Sequence, residues 1–127
     1  MKYEKSCLLI DDDHDDQLVF TIIIEKLNRS IRCVTADNAL EGLQKLEADP
    51  IFIPDSIFLD LNMPGINGID CLARIKANSR LANIPVVIYT TSSRQEDVLR
   101  AKRLGAAAYI VKSFDIPEIS RRIGDFL

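Results

Sequence analysis

Two aspartate-rich segments carry the residues best suited to chemistry, Ile10-Asp11-Asp12-Asp13 and Asp60-Leu61-Asn62-Met63-Pro64-Gly65. Each follows a short apolar run, which in a parallel sheet puts both at the carboxyl ends of strands, where such sheets bind their ligands. At least three carboxylates gathered there repel one another unless a positive charge joins them. Oxygen donors suit Mg²⁺, which takes one or two protein carboxylates and keeps waters and a phosphate oxygen in its shell. Zinc is disfavoured, because neither segment is flanked by Cys, and His14 is the only nearby His. Two further apolar runs end in Thr90-Thr91-Ser92 and in Lys112, bringing a hydroxyl and an ammonium to the same edge. A carboxylate nucleophile, a metal, a hydroxyl donor and a lysine fit phosphoryl transfer, in which the protein contributes mainly positioning and charge stabilisation.

The elements that must position these groups follow from periodicity. Apolar runs at 7–10, 31–36, 56–59, 86–89 and 107–111 alternate with helix-length stretches at roughly 15–29, 38–48, 67–78, 94–104 and 116–126. That alternation predicts an α/β fold, a doubly wound sheet of parallel strands with helices on both faces. Three of the runs are near-continuous in apolar character, as expected of strands buried on both faces. Apolar stripes recur at helical spacing in Leu40, Leu43 and Leu46, in Ile69, Leu72 and Ile75, and in Val98, Ala101 and Leu104. Gly105 stands where a helix ends in left-handed backbone, and Pro117 falls in the first turn of the last helix. That helix is expected to run to Leu127, making residues 1–127 a single domain with no output domain attached.

A chain of 127 residues supports one continuous core. Its 16 basic and 19 acidic residues give a net charge of −3, too balanced for nucleic-acid binding or a membrane-surface helix. Cys7, Cys33 and Cys71 lie in separate apolar segments and read as reduced core thiols. The apolar run near the N-terminus stops at aspartates after four residues, too short for a signal peptide or a membrane span. A cytoplasmic protein is expected.

Taken together, Ile10-Asp11-Asp12, Leu59-Asp60-Leu61-Asn62-Met63-Pro64, Tyr89-Thr90-Thr91-Ser92 and Tyr109-Ile110-Val111-Lys112 resemble the response-regulator receiver domain of two-component signalling, in order and in spacing, over essentially residues 5 to 127. The resemblance implies a flavodoxin-like five-stranded sheet of order 2-1-3-4-5 and a stand-alone, single-domain switch rather than an enzyme. It implies that Asp60 accepts a phosphoryl group from a histidine kinase or phosphotransfer protein. Asp12 and the Asn62 main-chain carbonyl would hold Mg²⁺ beside Asp60, with Asp11 acting nearby or through water. Thr90 would bond a phosphoryl oxygen, Lys112 would pair with the phosphoryl group, and Thr90 and Tyr109 would form the switch pair. The face built by the fourth helix, fifth strand and fifth helix would then change its binding to a downstream protein or to a second copy of the chain.

The family usually has Pro after the Lys, often in a cis peptide, whereas this chain has Lys112-Ser113-Phe114. A cis bond before a non-proline residue costs about 2.5–4 kcal/mol, so either that cost is met or Lys112 is presented differently. Several residues have plainer readings. Asp13, Asp15 and Asp16 precede a helix and suit capping and the helix dipole. His14 has no partner base and receives no role, and Thr91 and Ser92 suit loop amides. Tyr109 also fits an ordinary edge-strand aromatic. Ile51-Phe52-Ile53-Pro54 reads as core packing, and Arg94, Arg100, Lys102 and Arg103 as the solvated side of the fourth helix. An aspartyl-phosphate hydrolase of the haloacid-dehalogenase type would need a second carboxylate where Asn62 stands. A flavodoxin-like cofactor binder would need Gly, Ser or Thr after the first strand, where this chain has aspartates.

Overall fold

The computed structural model describes residues 3–27 and 30–127. Its strands are β1 (Lys5–Ile10), β2 (Ile31–Ala36), β3 (Ser56–Leu59), β4 (Val86–Thr90) and β5 (Ala108–Val111). They alternate with α1 (His14–Leu27), α2 (Ala39–Ala48), α3 (Gly68–Ala77), α4 (Gln95–Arg103) and α5 (Ile116–Gly124). All strand pairs are parallel and the order is β2-β1-β3-β4-β5. The chain winds outward from β1 in one direction to β2 and in the other through β3, so the carboxyl ends of β1 and β3 border the switch point. The two strands carrying the aspartate segments are therefore direct neighbours, with Ile10 opposite Leu59.

The apolar runs become strands because each has a hydrophobic layer on both sides. On one face Leu8, Ile10, Ile57, Leu59, Val86 and Ile88 pack with residues of α2, α3 and α4. On the other, Cys7, Leu9, Phe58, Val87, Tyr89 and Ile110 pack with α1 and α5. Phe20 of α1 stands 4.9 Å from the ring of Phe58 and 5.8 Å from that of Tyr89, a packed aromatic floor below the strand ends. The three cysteines are free thiols, and Cys7 and Cys33 are register partners on adjacent strands. No described helix is long and apolar enough to cross a membrane.

Local chemistry accounts for the boundaries. The side chains of Asn38, Asn67 and Asp115 accept from the backbone N–H groups of Glu41, Asp70 and Glu118, capping α2, α3 and α5. Gly105 adopts φ +96° just beyond α4, as its position predicts. Four expectations need correction or qualification. Leu40 is half-exposed, because α2 buries the row Ala39, Leu43 and Leu46 and Leu40 lies about 100° round the helix from Ala39. Ile51 and Ile53 are exposed, whereas Phe52 is half-buried and Pro54 buried; the turn after α2, in which Asp49 accepts from the N–H groups of Ile51 and Phe52, directs only alternate residues inward. The last helix stops at Gly124, and Phe126 and Leu127 continue as a turn packed on the α1/α5 core. The first helix is described to Leu27, and positions 28 and 29 of its expected span lie outside the described residues.

Gly68 opens α3 directly against the β3 end. A Cβ there would be driven into the Asp60 carbonyl oxygen and the Leu61 Cα, rigid backbone that cannot rotate away. Gly68→Ala is expected to destabilise the fold by roughly 1–3 kcal/mol, the usual range for overpacking, measured as a lowered urea midpoint at unchanged m-value.

Candidate functional site

Backbone hydrogen bonds carry the sheet geometry past the strand ends. Asp11 N–H donates to Ala36 O at 3.0 Å, Asp60 N–H to Ile10 O at 3.0 Å and Lys112 N–H to Thr90 O at 2.8 Å. Each residue that follows a strand is thus fixed by its neighbour, and the side chains of Asp11, Asp60, Thr90 and Lys112 meet over one edge. Carboxylate oxygens of Asp11, Asp12 and Asp60 all lie within 4.8 Å of one another. Asp11 and Asp60 are buried and Asp12 is exposed.

The charge balance rests on Lys112. Its Nζ is 2.8 Å from Asp11 Oδ2, 2.8 Å from Asp16 Oδ2 and 3.2 Å from Asp60 Oδ2, and 5.5 Å from the centroid of the Tyr89 ring. Burial pulls the ammonium pKa down, but the close contacts with Asp11 and Asp16 and the charge of Asp60 outweigh it and hold Lys112 above the usual lysine range. Burial raises the Asp11 pKa, against the lowering influence of Lys112 and the Asp13 N–H. Asp11 Oδ1 accepts from Asp13 N–H at 2.9 Å, while Oδ2 meets Lys112 as an ion pair without the geometry of a hydrogen bond. Asp60 Oδ1 accepts from Thr90 Oγ1 at 2.6 Å and from Asn62 N–H at 3.2 Å. Every oxygen of Asp60 therefore faces a donor or a cation.

The structure brings together Asp11, Asp12, Asp60, Asn62, Thr90 and Lys112. Tyr109 stands apart from this cluster, with its hydroxyl donating to Ser92 O at 2.8 Å in the loop after β4 and its carbonyl accepting from Arg122 at 3.0 Å. Ser92 Oγ donates to Asp97 at 2.6 Å and accepts from Arg94 N–H at 3.3 Å, a loop role as read from sequence. No described peptide bond is cis. Lys112 reaches the carboxylates with a trans bond to Ser113, which settles the alternative left by the missing proline. His14 Nε2 lies 3.1 Å from Asp37 on the surface.

Two residues at the site escaped the sequence reading. Asp13 does cap the first turn of α1, accepting from Asp16 N–H at 3.1 Å, but Asp16 also turns its carboxylate to Lys112. Its place in the first turn of α1, directly after the β1 end, was the available signal. Gln17 Nε2 donates to Asp11 O at 2.6 Å and to Asp37 at 2.9 Å, tying α1 to the β1 end; nothing in its residue type marked it.

The family model described as the response regulator receiver domain matches residues 7–124. This chain belongs to that family. Among relatives of the receiver domain, the nitrate/nitrite response regulator protein NarL of Escherichia coli strain K12 is 29% identical over 120 residues, covering 94% of this chain and 54% of NarL. The chain thus spans about half of that relative. Among solved structures, the phosphorylated cyanobacterial phytochrome response regulator RcpA superposes with a TM-score of 0.86 at 28% identity, covering 95% of this chain and 89% of that one. The Mn²⁺-bound form of response regulator Rcp1 gives 0.85 at 27% identity, covering 95% and 90%. Homologues of the receiver domain support a phosphoacceptor switch of two-component signalling.

Removing the ammonium leaves Asp11 and Asp60 close together and buried, with neutral hydrogen-bond donors but without their cation. Lys112→Met is expected to cost about 3 kcal/mol of stability at neutral pH. Because a raised lysine pKa stabilises the fold below the ordinary lysine pKa and is lost only as pH climbs through the higher folded value, wild type keeps this contribution throughout the neutral range. Urea titrations of both proteins with and without Mg²⁺ check this, the deficit shrinking when the cation is added.

Proposed function

We propose that Asp60 is the phosphoacceptor of a two-component relay, taking a phosphoryl group from a histidine kinase or phosphotransfer protein. The observation that carries this reading is the setting of the Asp60 carboxylate, held between Thr90 Oγ1 at 2.6 Å and Lys112 Nζ at 3.2 Å within the Asp11–Asp12–Asp60 cluster. An Asp60 oxygen attacks phosphorus, the bond from phosphorus to the donor histidine nitrogen breaks, and the electron pair leaves with that nitrogen. Lys112 pairs with the incoming phosphoryl oxygens. Thr90, whose hydroxyl is spent on Asp60 Oδ1, turns to a phosphoryl oxygen instead.

The residues fit Mg²⁺. The donors are all oxygens, the three carboxylates converge within 4.8 Å, and Asp11 Oδ2 is buried without a hydrogen bond. Asp12, Asp60 and the Asn62 carbonyl would hold the ion, with Asp11 acting nearby or through water. Bound there, it would neutralise charge on the phosphoryl oxygens.

Phosphorylation adds a charge of roughly −1.5 to −2 at neutral pH beside Thr90. Thr90 and Tyr109 are the proposed switch pair, since the Tyr109 hydroxyl holds a carbonyl of the loop that leaves Thr90. A shift of this loop alters the face formed by α4, β5 and α5. That face is proposed to act on a separate protein or to pair with a second copy, residues 1–127 working as one receiver unit.

Acetyl phosphate with Mg²⁺ is expected to add one phosphoryl group to the chain, seen by intact mass, and Asp60→Asn to take none. An undiminished adduct in that variant would sink the assignment. Asp12→Ala is expected to weaken Mg²⁺ binding by about tenfold or more; calorimetric titration giving an unchanged affinity would remove Asp12 from the metal role.

A further inference from the structure

We infer that Asp16 is a positioning residue for Lys112, holding the ammonium in place while its other two carboxylate partners change during phosphoryl transfer. The inference rests on the reading of Asp60 as phosphoacceptor. It begins with what fixes the lysine. The backbone N–H of Lys112 is held by Thr90 O, but the next residues are exposed, Phe114 fully so. The Lys112 stem is largely buried, with Nζ 5.5 Å from the centroid of the Tyr89 ring, but a trans bond to Ser113 and exposed residues beyond it leave the loop adding little to the hold on the ammonium. The direction is set by the groups that meet Nζ.

An ammonium has three hydrogens, and three carboxylates lie around this one. Asp11 and Asp60 belong to the acidic cluster. When Asp60 becomes an acyl phosphate, one of its oxygens is bonded to phosphorus, and a cation held in the cluster would draw on the Asp11 charge. Asp16 belongs to neither event. It lies on α1, outside the cluster, yet it approaches Nζ at 2.8 Å, closer than Asp60 at 3.2 Å.

Its own position is well determined. The Asp16 N–H is held by the Asp13 side chain, and the adjacent Gln17 ties the same helical turn to Asp11 O and Asp37. Asp16 thus ties the end of the Lys112 side chain to the frame of α1. It touches no reacting atom and acts only through Lys112. A carboxylate on α1 here does the orienting that the exposed Ser113-Phe114 segment after the lysine does not.

Three variants and two readouts test this in the full chain. At saturating Mg²⁺ and acetyl phosphate, Asp16→Asn is expected to slow formation of the phosphorylated mass by about tenfold, the scale of a modest misplacement of a catalytic group. Asp16→Glu should recover most of the loss. In a Lys112→Met background, Asp16→Asn should add nothing further, because the two residues act as a unit. By ¹H–¹⁵N spectroscopy the Lys112 ammonium is expected to give a resolved signal in wild type and in Asp16→Glu, and to lose it to exchange and averaging in Asp16→Asn. A wild-type rate in Asp16→Asn, an equal loss in the Lys112→Met background, or an ammonium signal that persists without Asp16 each overturns the proposal. If wild type takes no phosphoryl group, the reading of Asp60 fails instead, and the ammonium signal alone decides whether Asp16 positions Lys112.

Discussion

The site is built round a charge imbalance that the fold creates and one side chain offsets. Parallel strands ending at a switch point bring Asp11, Asp12 and Asp60 within 4.8 Å, and two of these carboxylates are buried. Left alone they would repel, and one would protonate. The Lys112 ammonium, arriving from β5 two strands away from β3, supplies the positive charge that holds the arrangement together. Burial disfavours its charge, yet its partners hold it protonated well beyond neutrality. The lysine thus occupies part of the space and charge that a cation and a phosphoryl group would share, and the same electrostatic demand that makes the cluster costly would make it receptive to them.

Such a cluster needs a rigid frame, and the frame lies in the backbone. The N–H groups of Asp11, Asp60 and Lys112 are each consumed by a neighbouring strand, so the carboxylates and ammonium cannot drift apart to relieve strain. Gly68 lets α3 press directly on the Asp60 carbonyl. Beneath, Phe20, Phe58 and Tyr89 form a packed aromatic layer, and the Tyr89 ring lies under the lysine. Hydrophobic packing and sheet hydrogen bonding supply the stability that the polar edge gives up.

The fold was largely legible from the chain. Five apolar runs separated by amphipathic stretches admitted few architectures other than a doubly wound parallel sheet, because a strand buried on both faces needs apolar residues at consecutive positions. Central strands β1, β3 and β4 meet that condition, and edge strands β2 and β5 are only partly buried. The misreadings came where apolar residues serve no core. Leu40 fits a stripe by spacing, but α2 is rotated so that Ala39 faces the sheet. Ile51 and Ile53 resemble a strand entrance, but the turn at Asp49 sends them outward. Hydropathy carries no information on helix rotation or turn direction when small residues such as Ala39 and Gly42 occupy the contact.

The polar residues divide in a similar way. Residue type and order along the chain were enough to single out Asp11, Asp12, Asp60, Thr90 and Lys112, because a parallel sheet delivers whatever follows its strands to one edge. What only the tertiary structure decided was who pairs with whom. Asp16 and Gln17 read as ordinary helix residues, since a side chain on a helix reaches its partner through rotation and distance that no local pattern encodes. Lys112 was the doubtful member because the residue after it departs from the family pattern. Its place was determined instead by three carboxylates, from the end of β1, from α1 and from the end of β3, separated from it by up to 101 positions in sequence and brought to contact only by folding.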